Sequence, residues 1–231
     1  MKKLSLIVFF AAVAGTIVSA VIHYEPLFTI TKPLILTSLA IHYYFSVSLE
    51  SRSGLLLLAL LFSFIGDVLL IRSDFFIPGL VVFLLAHIVY VFVYRHYRNV
   101  QDQSLRGVHG VLMALPIVFA GTGLIAVLYS KLGGLKIPVV FYALVITVMT
   151  LAALFRYGRT TKKSFWLVFI GAVLFMISDA ILAINKFLLP VDYARVYIIC
   201  TYSLSQYLIV KGLMRHQPEA WMHRSSEPTD T

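Results

Sequence analysis

Eight apolar runs of about 20 residues fill most of the chain, separated by short polar breaks. They cover roughly 4 to 22, 30 to 48, 54 to 71, 75 to 95, 108 to 129, 136 to 155, 164 to 185 and 193 to 214. A hydrocarbon core about 30 Å thick is crossed by about 20 helical residues, so each run predicts one membrane-crossing α-helix. Pro26, Pro33, Gly54, Pro78, Gly79, Gly133, Gly134, Pro138 and Pro190 punctuate the breaks. The expectation is an all-α polytopic membrane protein with eight transmembrane helices. It forms a single domain over 1–216, followed by a polar tail, 217–231, expected to be flexible.

Composition agrees, with 60% hydrophobic and 13% charged residues. The net charge of +9 is better explained by membrane orientation than by nucleic acid, which would need a basic folded face outside the membrane. With the N-terminus inside, the inner segments hold Lys2, Lys3, Arg52, Arg95, Arg98, Arg106, Arg156, Arg159, Lys162, Lys163, Lys211, Arg215 and Arg224. The outer segments hold only Lys32, Arg72, Lys131, Lys136, Lys186 and Arg195. Both termini are therefore expected in the cytoplasm, in a bacterial inner membrane. The first run also has the look of a secretory signal ending at Val18-Ser19-Ala20, but its length from Leu4 to Ile22 favours a retained helix. Tyr94, Tyr97, Tyr157, Trp166 and Trp221 read as an interfacial belt. The single cysteine, Cys200, rules out an intrachain disulfide and reads as packing.

Against this apolar background two acids stand out, in Phe62-Ser-Phe-Ile-Gly-Asp67-Val-Leu-Leu70 and Leu174-Phe-Met-Ile-Ser-Asp179-Ala-Ile-Leu182. A carboxylate at the centre of a membrane helix costs about 3 kcal/mol on insertion scales, so two of them require a use. They fall in the third and seventh helices, which cross in the same direction. Lys32-Pro33 and Lys136-Ile-Pro138 each precede an acid by one helix, which suggests parallel repeats over 1–98 and 106–214. Polar stripes accompany the acids: His87 with Tyr90, Tyr202 with Ser205 and Gln206, and Ser178 with Asn185. At about 1.5 Å per residue, Asp67 lies about 20 Å from the inner end of its helix, and Asp179 at a similar level. Two acids at one height beside polar stripes predict a wet pocket between the halves.

These residues together resemble the YhhN-type lysoplasmalogenases. The resemblance rests on Gly66-Asp67, Phe83-Leu-Leu-Ala-His87-Ile-Val-Tyr90, Gly171 through Ser178-Asp179, Thr201-Tyr202 with Gln206, and Lys32-Pro33, and it runs from about residue 30 to 212. It implies an integral membrane hydrolase that cleaves the vinyl-ether bond of a lysophospholipid, releasing a fatty aldehyde and a glycerophospho-alcohol. Neither cofactor nor metal is implied. Vinyl-ether hydrolysis starts with protonation of the outer alkene carbon, and water then attacks the oxocarbenium ion. Two neighbouring carboxyls resist ionising together, so one can hold a proton while the other stays charged, as in glycosidases. Asp67 and Asp179 are the expected catalytic pair, with Asp179 as acid and Asp67 as water activator. Lys32, His87, Tyr90, Ser178, Asn185, Tyr202 and Gln206 are the expected supporting or substrate-binding residues, Lys32 being the one for the lipid phosphate.

Other readings compete. The acids can simply bridge helices, and Gly66 and Ser178 can simply permit close packing. Parallel repeats with buried acids also suit a proton-coupled transporter of small molecules or lipids, although the prolines lie mostly near helix ends, with Pro116 the exception. Asp67, His87 and Asp179 as metal ligands lack any paired-histidine spacing. No nucleophile elbow or phosphate-binding glycine loop is present. The pattern sets no oligomeric state.

Overall fold

The structure is a computed structural model describing residues 1–98 and 107–216. Among them the chain forms eight α-helices and no strand: α1 (Lys2–Val21), α2 (Glu25–Ser46), α3 (Gly54–Leu69), α4 (Phe76–His96), α5 (Gly107–Leu128), α6 (Lys136–Leu154), α7 (Lys162–Phe187) and α8 (Ala194–Met214). Each apolar run thus forms one helix. Arg106, Arg224, Trp221 and the 217–231 tail lie outside the described residues.

Six of these helices are long and apolar enough to cross a membrane, which makes the chain an all-helical integral membrane protein. The other two differ for separate reasons. Helix α3 is apolar but only 16 residues long, about 24 Å at 1.5 Å per residue. Helix α2 is long enough at 22 residues, but Glu25, Thr31, Lys32, Ser38 and His42 make it more polar. Its polarity is largely turned inward, with Thr31 and Ser38 buried and Thr16 Oγ1 donating to Thr31 Oγ1 across the α1–α2 contact at 2.9 Å.

Two boundaries depart from the sequence expectation. Helix α2 starts five residues early, because Pro26 falls in its first turn, where a missing N–H costs nothing. Pro33 therefore sits inside the helix, a second interior proline beside Pro116, and Lys32 is a mid-helix residue rather than an outer-end one. Helix α3 starts as expected, with Ser53 Oγ accepting from Leu56 N at 3.3 Å, but stops at Leu69. Asp67 thus occupies its last turn.

Helices α2, α3, α4, α6, α7 and α8 pack in a closed ring, each against the next, with α8 returning to α2. Outside it, α1 packs on α2 and α8, whereas α5 packs on α6 and only lightly on α7. The most extensive contact joins α7 to α8. A Cβ on Gly171 would stand 2.7 Å from Ile209 Cγ1, and one on Gly212 2.7 Å from Val168 Cγ2. Lipid gives helices no hydrophobic reason to associate, so such close approach and interhelical hydrogen bonds carry the packing. At the centre, Phe175 is fully buried and meets His87, Tyr202 and Phe83 edge-on at centroid distances of 4.7, 5.4 and 6.4 Å.

The α6–α7 turn is anchored by a buried arginine. Arg156 Nε donates to the Tyr97 carbonyl at 3.0 Å and Nη2 to Ser164 Oγ at 3.0 Å; Ser164 Oγ in turn donates to the Gly212 carbonyl at 2.7 Å. Burial lowers Arg156 to about 10, and it lowers neighbouring His216 to about 4, with the Arg156 charge acting in the same direction. Tyr94 and Tyr97 are buried beside this anchor instead of belonging to the interfacial belt: the Tyr97 hydroxyl meets that of Tyr43 at 3.4 Å, and the Tyr94 ring packs on Tyr90 at 5.8 Å. Tyr157 and Trp166 do lie exposed. Cys200 is exposed on α8, so it does not pack in the core.

Candidate active site

Asp67, in the last turn of α3, is almost wholly buried. Tyr202 of α8 donates its hydroxyl to Oδ2 at 2.7 Å, and Lys32 Nζ of α2 stands 3.5 Å from Oδ1. The carboxyl is thus supplied with one neutral donor and one cation. Gly66 places the turn: a Cβ there would fall 2.5 Å from Phe83 Cδ2, so only glycine lets α4 press its phenyl ring against the residue before the acid. The small-residue reading of Gly66 therefore holds.

Asp179 of α7 has different neighbours. Tyr142 of α6 donates to Oδ2 at 2.6 Å. His87 Nε2 of α4 lies 3.5 Å from the same oxygen, yet neither ring nitrogen of His87 makes a hydrogen bond. No lysine or arginine reaches Asp179 within ion-pair distance among the described residues. The two acids therefore sit in unlike electrostatic settings.

Both acids line one cavity of about 280 Å³ enclosed by α2, α3, α4, α7 and α8. Lys32, Ser178, Asn185 and Tyr202 line it too, as do Lys186 and Arg195. Such a space holds many waters, since about 10–15 Å³ of such volume accommodates one. Lys186 and Arg195 belong to the end of α7 and the start of α8, so the cavity is cationic on that side. Arg195 is ion-paired with Glu25, whereas Lys186 lies over the Phe76 ring at 4.9 Å.

A family comparison bears on this arrangement. The model of the YhhN family matches residues 27–213. The chain belongs to the YhhN family. Similar proteins include human "Lysoplasmalogenase TMEM86B", 31% identical over 68% of this chain and 62% of the relative. Bovine "Lysoplasmalogenase TMEM86A" is 31% identical over 73% of this chain and 68% of its own. "Lysoplasmalogenase" of Mycobacterium bovis is 30% identical over 75% and 64%. The chain thus spans roughly three fifths to two thirds of the length of these relatives. No solved structure matches.

In this YhhN-family chain the nine residues singled out by sequence divide into three groups. Asp67, Asp179, Lys32, Ser178, Asn185 and Tyr202 meet at the cavity wall. Ser178 also bonds α8 through the Ile198 carbonyl at 3.2 Å. Asn185 spends its Oδ1 on the Val191 N–H at 2.9 Å, closing the α7–α8 turn. His87 lies behind the wall against Asp179. Tyr90 and Gln206 form a separate buried pair, Tyr90 donating to Oε1 at 2.6 Å, and they do not line the cavity.

Lys32, expected to meet the lipid phosphate, lines the cavity and stands 3.5 Å from Asp67 Oδ1. Asp67, His87 and Asp179 form no metal-holding group among the described residues. Lys136, the suggested counterpart of Lys32, lies over Tyr129 at 4.7 Å and makes no ion pair with Asp179. The residue that sequence reading missed is Tyr142. It lies one turn beyond Pro138 in an apolar run, and its only signal was a hydroxyl within that run.

Proposed function

We propose that the chain hydrolyses the vinyl-ether bond of a lysoplasmalogen, giving a fatty aldehyde and a glycerophospho-alcohol. The names of its relatives support the substrate class. The observation that carries the chemistry is a single polar-lined cavity shared by two carboxyls of unlike partnering.

Asp179, with no ammonium beside it, is the proton donor. Asp67, paired with Lys32, stays ionised. Asp179 passes its proton to the outer alkene carbon, and the ether carbon becomes an oxocarbenium ion stabilised by the Asp67 charge. Water adds to that carbon and gives a proton to Asp67. The hemiacetal then breaks its bond to the glycerol oxygen, and its hydroxyl proton ends on that oxygen. A proton returning from Asp67 to Asp179 through cavity water resets the pair. His87 packs behind Asp179, while Tyr142 and Tyr202 fix the two carboxyls. Lys186 and Arg195 face the phosphate.

Eight crossings, parallel repeats and cytoplasmic termini in a bacterial inner membrane complete the reading. The ring supports the repeat, because α2–α3, α3–α4 and α8–α2 neighbour as α6–α7, α7–α8 and α4–α6 do. On this orientation the cavity faces the outer leaflet.

A second reading, a proton-coupled transporter, is favoured by one feature. Buried polar atoms without partners, namely Ser63 Oγ, Ser205 Oγ, Gln206 Nε2 and Tyr94 OH, lie on α3, α4 and α8 behind the cavity lining. One experiment separates the two. Purified protein in detergent is given lysoplasmalogen, and aldehyde is measured for the parent, Asp67→Asn and Asp179→Asn. Release by the parent, lost by about 10²-fold or more in each folded variant, supports hydrolysis. Absence of release by the parent refutes it and leaves transport.

A further inference from the structure

A second cavity adjoins the first. It is a cleft of about 40 Å³ between α4, α5, α6 and α7, and it shares Phe76, Asp179 and Leu182 with the polar cavity. Apart from Asp179 and Tyr142 its lining is aliphatic or aromatic. Asp179 therefore stands where a wet compartment meets a dry one. A lysolipid has the same division, a polar headgroup and an aliphatic chain, and its vinyl ether lies at the junction.

Resting on the hydrolase reading, we propose that the cleft is the site of the substrate's aliphatic chain. The chain enters sideways from the bilayer past α5 and descends from Asp179 toward Met176, Ile146 and Gly121. Helix α5 suits this passage because it is the least embedded. Val111, Leu112, Phe119 and Val127 are more than half exposed, and its close neighbour is α6 alone. Gly121 allows that contact, since a Cβ there would stand 2.2 Å from Thr147 Oγ1 and 3.5 Å from Met176 Cε. Helix α1, in the matching place of the other half, is held against both α2 and α8. The cavity on its side, lined by Leu6, His42 and Tyr207, does not reach Asp67. The cleft at rest has room for a narrow file of methylenes only, so the first part of the chain lies in it and the remainder extends into lipid. Met176 is a floor that can yield, being unbranched and flexible.

Two measurements test this. The first compares kcat/KM for a sixteen-carbon and a four-carbon 1-alkenyl chain on the same headgroup. Leu124→Trp and Met176→Phe, which narrow the passage beyond Asp179, lower the long-to-short ratio at least tenfold. Phe119→Leu, on the exposed face of α5, leaves the ratio as in the parent. The second uses a 1-alkyl ether lysolipid, which cannot be hydrolysed, with a diazirine six carbons along the chain. Photolabelling places adducts on peptides containing Leu124, Ile146 or Met176, and Leu124→Trp reduces them several-fold. Ratios within twofold of the parent in both narrowed variants, or adducts spread evenly over lipid-facing helices, overturn the proposal. Adducts in the cleft of a parent that releases no aldehyde sink the hydrolase reading and leave the chain site standing.

Discussion

Replacing Lys32 with methionine removes the cation paired with Asp67 while keeping an unbranched side chain in α2. At 3.5 Å the gross attraction is about 5 kcal/mol with an effective dielectric near 20. Desolvation of both groups offsets much of this, and the pair borders a wet cavity, so the expected coupling is about 1–3 kcal/mol. The assay is a double-mutant cycle of parent, Lys32→Met, Asp67→Asn and the double variant, read by thermal unfolding in one detergent and by aldehyde release. At about 2–4 °C per kcal/mol for a chain of this size, Lys32→Met lowers Tm by about 2–12 °C. The double variant recovers part of the loss, because no charge is left stranded. Lys32→Met also lowers kcat at least tenfold, since an isolated Asp67 no longer stays ionised. A coupling below about 0.5 kcal/mol with kcat unchanged refutes the reasoning. A rise confined to KM would instead make Lys32 a headgroup ligand.

Three further outcomes are expected. Tyr142→Phe deletes the 2.6 Å donor to Asp179 and lowers kcat about 10–100-fold with a Tm loss equivalent to about 1–2 kcal/mol; unchanged kcat separates the tyrosine from the chemistry. Gly171→Ala forces a Cβ to within 3.0 Å of the Ser205 carbonyl and 2.7 Å of Ile209, so unfolding in detergent shows a destabilisation of about 1–3 kcal/mol, and a stabilised variant contradicts the close α7–α8 contact. His216, lowered from 6.5 to about 4, is neutral when folded. The unfolded chain then binds the extra proton between about pH 4 and 6.5, and stability falls as pH falls through that window. Discounted for solvent screening, the loss from pH 7 to 5 is about 1 kcal/mol, and a Tm-against-pH series loses that part of its slope in His216→Gln.

Helix existence was legible because apolar length has one meaning in a bilayer, and all eight runs became helices. Their ends were less so. A proline in a first turn looks like a break and is a start, which is why α2 begins at Glu25 and carries Lys32 and Pro33 internally. That shift turned a presumed surface lysine into the partner of Asp67. The acids were legible because their cost in lipid marks them whatever the fold. Tyr142 was not, since a tyrosine in an apolar helix has no such cost: its ring is at home in lipid and only its hydroxyl needs company. Tyr94 and Tyr97 misled for the same reason in reverse. Near a helix end tyrosine reads as interfacial, and only the buried Arg156, an unexpected anchor, turns them inward.

The two halves agree in their ring contacts and disagree at their acids, and the disagreement is the informative part. Perfect symmetry would give both carboxyls the same neighbours and the same role, which suits neither an acid that must hold a proton nor a base that must accept one. The fold departs from symmetry twice. Lys32 stands beside Asp67 without a counterpart at Asp179 among the described residues, and the cleft beside α5 reaches Asp179, whereas the cavity beside α1 does not reach Asp67. Both departures act at the same place. They give Asp67 a cation and a wet wall, and they give Asp179 a tyrosine, an unbonded histidine and a dry flank. If the proposed chain site is correct, the dry flank brings the alkene to Asp179 rather than to Asp67, so the choice of acid follows from where the chain lies. Introducing a cation at the slot end, as in Ala183→Lys, would make the halves more alike. It should lower kcat sharply by holding Asp179 ionised, whereas Ala183→Met, of similar length and uncharged, should spare kcat relative to it. Equal kcat in the two variants would show that Asp179 does not act as the acid.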